Sequence, residues 1–140
     1  MKKIILISTI LLTFLNAKPT EINYELSKKY IESNKSEILK KAKKEHSSLF
    51  DISIDRENVI FKYYIMPEDI SGQFAKDFKV ADNNKYRTYL ISAARMFIIK
   101  EFKNKFKNNY FLEQGFNLKF ELYWKDTKKL AMAYMIKPKK

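Results

Sequence analysis

From Phe116 to Trp124 every second residue is large and apolar, with Phe116, Leu118, Phe120, Leu122 and Trp124 separated by Asn117, Lys119, Glu121 and Tyr123. An alternation this regular fits only an extended strand with one buried and one exposed face, so the domain is built around a sheet. Lys125-Asp126-Thr127-Lys128 reads as a turn. The chain then returns through Leu130, Met132, Tyr134 and Ile136, with Ala131, Ala133 and Met135 on the other side, until Pro138 ends the run.

A second hairpin is predicted earlier in the chain. Phe50, Ile52 and Ile54 alternate with Asp51, Ser53 and Asp55, and Arg56-Glu57-Asn58 supplies turn chemistry. In the following run, Val59, Phe61, Tyr63 and Ile65 are expected to face the core, leaving Ile60, Lys62, Tyr64 and Met66 opposite, with Pro67 as the stop. Two segments have helical spacing instead. In residues 20 to 45, Thr20 is the expected cap and Ile22, Leu26, Tyr30, Ile31, Ile38, Leu39 and Ala42 recur at three- and four-residue steps, with Asn34 a candidate interruption. In residues 84 to 107, Asp82 is the expected cap and Tyr86, Tyr89, Leu90, Ala93, Ala94, Phe97, Ile98, Phe102 and Phe106 form the apolar set. Its polar stripe, Lys85, Thr88, Ser92, Arg95 and Lys103, would run beside Met96 and Ile99, a small apolar surface with a basic rim unless another element covers it. The stretch from Pro67 to Ala81 is expected to pack as a short helix or ordered cover.

The order helix, strand, strand, helix, strand, strand predicts an α+β two-layer sandwich, a four-stranded, mostly antiparallel sheet with both helices on one face. Residues 18 to 140 form its single domain. The chain has no cysteine, so a packed core must hold it together, and 46% hydrophobic residues suffice for one.

Lys2 and Lys3 precede a charge-free apolar run from Ile4 to Leu15, followed by Asn16-Ala17. This is the layout of a secretory signal peptide spanning residues 1 to 17, too short for the ~20 residues of a membrane span. The expectation is cleavage after Ala17 and a periplasmic or secreted protein; an uncleaved anchor is the rival. Without a cysteine the chain is not a lipoprotein.

The formal charge of +12, lower by two once Lys2 and Lys3 leave, favours anionic partners. Arg56, Arg87 and Arg95 are the only arginines, however, and bidentate phosphate recognition prefers arginine. A solvated lysine surface therefore competes with a dedicated anion surface made of Lys35, Lys40, Lys41, Lys43 and Lys44 in the first helix and Lys100, Lys103, Lys105 and Lys107 in the second. A membrane-surface helix is the sharper form of the second reading.

Reagents for catalysis are scarce. His46 is the single histidine and sits at a helix end. Metal sites built on repeated His or Cys are impossible. Asp51, Asp55 and Glu57 could form a weak cation site, although strand alternation explains them better. Two glycines, Gly72 and Gly115, cannot build a phosphate loop or dinucleotide fingerprint. The sequence thus points to a non-enzyme without cofactor or metal.

Asn58-Val59-Ile60-Phe61-Lys62-Tyr63, then a long helix, then Gly115 through Asp126, resembles a pattern in small uncharacterised exported proteins of proteobacteria. The resemblance covers residues 50 to 137 and implies a periplasmic domain. Members often carry a cysteine pair near the helix and final strand, which this chain lacks.

If both helices cover one sheet face, the other presents Ile60, Lys62, Tyr64, Met66, Lys119, Tyr123, Ala131 and Met135. That set is more apolar than solvent alone requires, and it is the expected surface for a protein partner, an envelope or secreted protein. The 67–81 stretch folding over it, or a homodimer through it, would also account for it. Stacking of single-stranded bases is a further reading, weakened by export and by missing ribonucleoprotein motifs. Anionic lipid, polysaccharide or nucleic acid held by the lysine-rich helices is the alternative function.

Overall fold

The computed structural model describes residues 18–72 and 83–139. Residues 1–17, the expected leader, and most of the 67–81 connection lie outside them.

The chain runs α1 (Glu21–Lys44), β1 (Leu49–Ile54), β2 (Asn58–Ile65), α2 (Pro67–Ser71), α3 (Asn84–Phe106), α4 (Tyr110–Glu113), β3 (Asn117–Trp124) and β4 (Leu130–Ile136). The class is α+β around one four-stranded sheet ordered β1-β2-β3-β4. The sheet is mixed rather than mostly antiparallel: both hairpins are antiparallel, but β2 and β3 pair in parallel, from Asn58 opposite Asn117 to Ile65 opposite Trp124. The connection explains the difference. Parallel neighbours need a crossover long enough to return the chain to its starting end. The 23 residues of α3, at ~1.5 Å rise each, supply that length.

Thr20 caps α1, its Oγ1 accepting from the Asn23 N–H at 3.1 Å. The helix runs through Asn34, whose side-chain amide donates to the Tyr30 carbonyl four residues back instead of breaking the turn. At its far end the Ser47 N–H bonds the Ala42 carbonyl and the His46 N–H bonds that of Lys43, closing a Schellman turn with His46 at φ 56°. For α3 the cap is Asn83 rather than Asp82, since its Oδ1 accepts from the Lys85 and Tyr86 N–H groups.

The core lies where the alternating residues of β2 and β3 meet the helices. Val59, Phe116, Leu118 and Phe120 are fully buried, each contributing ~1.5–3 kcal/mol by leaving water. Phe102 of α3 stacks on Phe120 with ring centres 4.4 Å apart, and Phe106 meets Phe61 at 5.3 Å. Ile31 of α1 and Ile91 and Ile99 of α3 belong to the same buried cluster.

The phase of α3 corrects the sequence expectation. Arg87, Leu90, Ile91 and Ile99 are buried, whereas Tyr86, Tyr89, Met96 and Phe97 are exposed. Ile99 thus leaves the proposed apolar surface, while Met96 stays in the open. The helix buries Arg87 because its guanidinium sits 4.8 Å over the Trp124 ring and forms a two-pronged pair with Asp126, at 2.8 and 2.5 Å. Among the described residues no helix is long and apolar enough to cross a membrane.

Candidate binding surface

The strand register arranges the face opposite the core in three rows. Ile60, Lys119 and Met135 form the first. Asp51, Lys62, Glu121 and Ala133 form the second, and Tyr64 and Tyr123 the third. Alternation predicted this grouping for Ile60, Lys62, Tyr64, Lys119, Tyr123 and Met135. All six are half-buried, and none belongs to the core cluster. Met66 lies just past β2 and precedes α2, its N–H donating to the Asp69 carboxylate at 2.6 Å. Ala131 departs from the expected set because the β3–β4 register shifts between Leu122 and Tyr123 and packs Ala131 against the core.

Phe50 shares the sequence phase of Ile52 and Ile54. A bulge between Leu49 and Asp51 turns it over. Its ring stacks on Tyr64 at 3.9 Å and meets Tyr123 edge-on at 5.8 Å. The Lys128 ammonium sits 4.2 Å above the Tyr64 ring. It is aimed there from a hairpin turn in which Lys128 takes φ 60°.

The middle row is ionic. Asp51 pairs with Lys35 at 2.5 Å and Lys62 at 3.8 Å, and Glu121 pairs with Lys119 at 2.9 Å while accepting the Tyr123 hydroxyl at 2.6 Å. Burial raises the Glu121 carboxyl, but the Tyr123 hydrogen bond and the Lys119 charge outweigh it and hold Glu121 below its ordinary range. In return, the bond to Glu121, with some burial, pushes the Tyr123 hydroxyl up to about 12. This face therefore carries paired charges around an aromatic cluster.

Sequence reasoning missed Phe50, Asp51, Glu121 and Lys128 on this surface. Glu121 was recoverable, because residues two apart on a strand share a face and Lys119, Glu121 and Tyr123 follow that spacing. Phe50 and Lys128 depend on a bulge and a left-handed turn residue that leave no periodic trace.

The other candidate residues separate. Lys35 is held by Asp51, whereas Lys40, Lys41, Lys43 and Lys44 are exposed on the last turns of α1. Lys100, Lys103 and Lys105 are exposed on α3, and Lys107 is exposed at its C-cap. Lys103 and Lys107, joined by Lys137, Lys139 and the single acid Glu113, line a cleft of about 470 Å³ over Leu112 and Ile136. His46 is an exposed helix terminus. Asp55 turns inward on its own loop, accepting from the Glu57 and Asn58 N–H groups at 2.8 Å each. Among the described residues no three His, Asp or Glu side chains gather as a metal site.

No protein-family model matches the chain, and no match to it was found among curated proteins or solved structures.

Proposed function

We propose that the chain is an exported, non-enzymatic binding protein of the cell envelope that engages a protein partner through the open face of its sheet. In this reading α1 and α3 cover the Phe61–Phe120 face and leave the three-row face free. The observation that carries it is the Phe50–Tyr64–Tyr123 cluster. Aromatic side chains grouped outside the core, with tyrosines ringed by paired charges, have the composition of an interface centre. The leader and the proteobacterial resemblance support the location.

The test is affinity capture of the tagged mature domain from envelope extract, washed at low and then high salt, beside the Tyr64→Ala, Tyr123→Ala double variant. A defined protein retained at high salt by the wild type and lost by the variant is expected. Equal retention by both would remove the open face from consideration. The lysine cleft favours a second reading, an electrostatic binder of anionic polymer or lipid. Capture under that reading disappears at high salt, as counterion competition requires, and falls in Lys103→Glu, Lys107→Glu.

A further inference from the structure

The two outer strands of the sheet are unequally protected. Outer strands offer a row of backbone N–H and C=O groups to any extended chain, and folds blunt them with charge, bulges or cover. β1 has all three: Asp51 within it, the bulge at Phe50, and α1 alongside, tied over the edge by the Lys35–Asp51 pair. β4 is different. Its residues, Leu130 to Ile136, include no charged side chain, and Leu130 is 54% exposed.

Two cavities flank this strand, one at each end, both between β4 and α3. The first, about 300 Å³, is bordered by Arg87, Thr88 and Ser92 of α3 and by Lys129, Leu130 and Ala131. The second is the cleft of about 470 Å³ in which Lys103 of α3 and Lys107, its C-cap, face Ile136, Lys137 and Lys139, with Glu113 of α4 also in the lining. An uncharged strand edge thus has Lys129 at one end, where Arg87 is already paired with Asp126, and four lysines around Glu113 at the other, with α3 beside it.

We propose that β4 and α3 form a peptide-docking groove that takes an extended segment with an apolar centre and acidic ends, added to the sheet as a strand beside β4. Main-chain bonds to β4 supply affinity, the end cavities receive the carboxylates, and the apolar centre lies along Leu130 to Ile136. Charge complementarity selects this occupant over a second copy. Antiparallel self-pairing centred on Ala133 would set Lys129 of one copy opposite Lys137 of the other, a like-charge pair. The groove lies on a sheet edge, so the inference is independent of the open face and its aromatic cluster.

A random peptide library displayed on phage and panned against the purified chain tests it. Expected winners have an apolar core flanked by Asp or Glu. Bound to isotope-labelled protein, they shift the backbone amides of residues 130–136, slow their hydrogen exchange and leave the Tyr64 and Tyr123 amides in place. N-methylating alternate peptide bonds abolishes binding for one parity only, the signature of an added strand. Lys129→Glu with Lys137→Glu weakens the winners at least tenfold with an unchanged circular dichroism spectrum, and reselection on that variant recovers basic flanks. Three outcomes overturn the proposal: no enrichment, winners without acidic flanks, or shifts confined to the Tyr64–Tyr123 face. The last would leave the open-face reading standing. Concentration-dependent dimerisation through β4 would also overturn it, in favour of a second copy.

Discussion

His46 shows how one residue can be conspicuous in a sequence and structural in a fold. As the single histidine it invites a catalytic reading, yet its backbone sits at φ 56° and completes the Schellman turn that ends α1. That conformation crowds a Cβ, and glycine adopts it freely. His46→Gly should therefore raise stability by about 1 kcal/mol in thermal melts, whereas His46→Val should lower it by at least as much. The Arg87–Asp126 pair is the second case. Both residues look like surface polars in the sequence, and only the fold brings them together across 39 positions. The Arg87 hydrogen bond, helped by the Thr127 N–H, lowers the Asp126 carboxyl to about 2 from an ordinary 3.8 against some desolvation. A carboxylate depressed in the folded state stabilises fully above its unfolded value and stops doing so as pH falls through the folded one. The pair should thus contribute above about pH 4 and fade towards pH 2. Asp126→Asn should lower stability by ~1–2 kcal/mol at pH 7, discounted because Asp126 is 39% exposed, and the difference from wild type should shrink as melts are taken to pH 2. A difference constant with pH would assign the effect to packing.

Strands were more legible than helices, for a physical reason. The period of two in β2 and β3 leaves only a choice of which face is inside, and the large apolar set decides that at once. In α3 the aromatic and aliphatic residues together go nearly all the way round, so the apolar set does not fix a phase. Tyr86, Tyr89 and Phe97 fit a helical face as well as Leu90, Ile91 and Phe102 do, and tertiary packing chose the latter. The choice can be checked by substitution. Phe102→Ala removes a ring stacked on Phe120 and packed near Tyr63, so it should cost ~3–5 kcal/mol in denaturant melts. Phe97→Ser, at 67% exposure, should change stability by less than about 1 kcal/mol. The reverse ranking would mean that α3 is rotated about its axis. Bulges mark the same boundary of legibility: an extra residue at Phe50 or Ala131 moves one side chain to the opposite face and leaves no mark in the composition.

At the scale of the whole molecule, the sequence predicted the class and the hairpins, and missed the parallel pairing of β2 with β3. A strand alternation carries no direction. Only the length of the crossover does, and the periodicity of the α3 segment reports its faces, not its reach. Charge is the other property that belongs to the whole chain. The whole chain has 28 basic against 16 acidic side chains, and since only Lys2 and Lys3 of these precede residue 18, the folded domain concentrates a large positive excess within a radius of gyration of ~14 Å. At 0.01 M salt the screening length of ~30 Å exceeds that radius, so the lysines repel one another across the domain; at 0.15 M it falls to ~8 Å and the repulsion is confined to neighbours. Screening also weakens the surface pairs Lys18–Glu57, Arg56–Glu21 and Lys35–Asp51, but such pairs contribute little individually. Self-repulsion should win, so the melting temperature should rise as sodium chloride goes from 0.01 to 0.15 M and then level off. Charge reversal at Lys40 and Lys44, which have no ion-pair partner among the described pairs, should flatten that dependence by raising the low-salt value. A melting temperature that falls with salt would instead put the paired rows of the sheet face, Asp51–Lys62 and Lys119–Glu121, in control of the electrostatic balance.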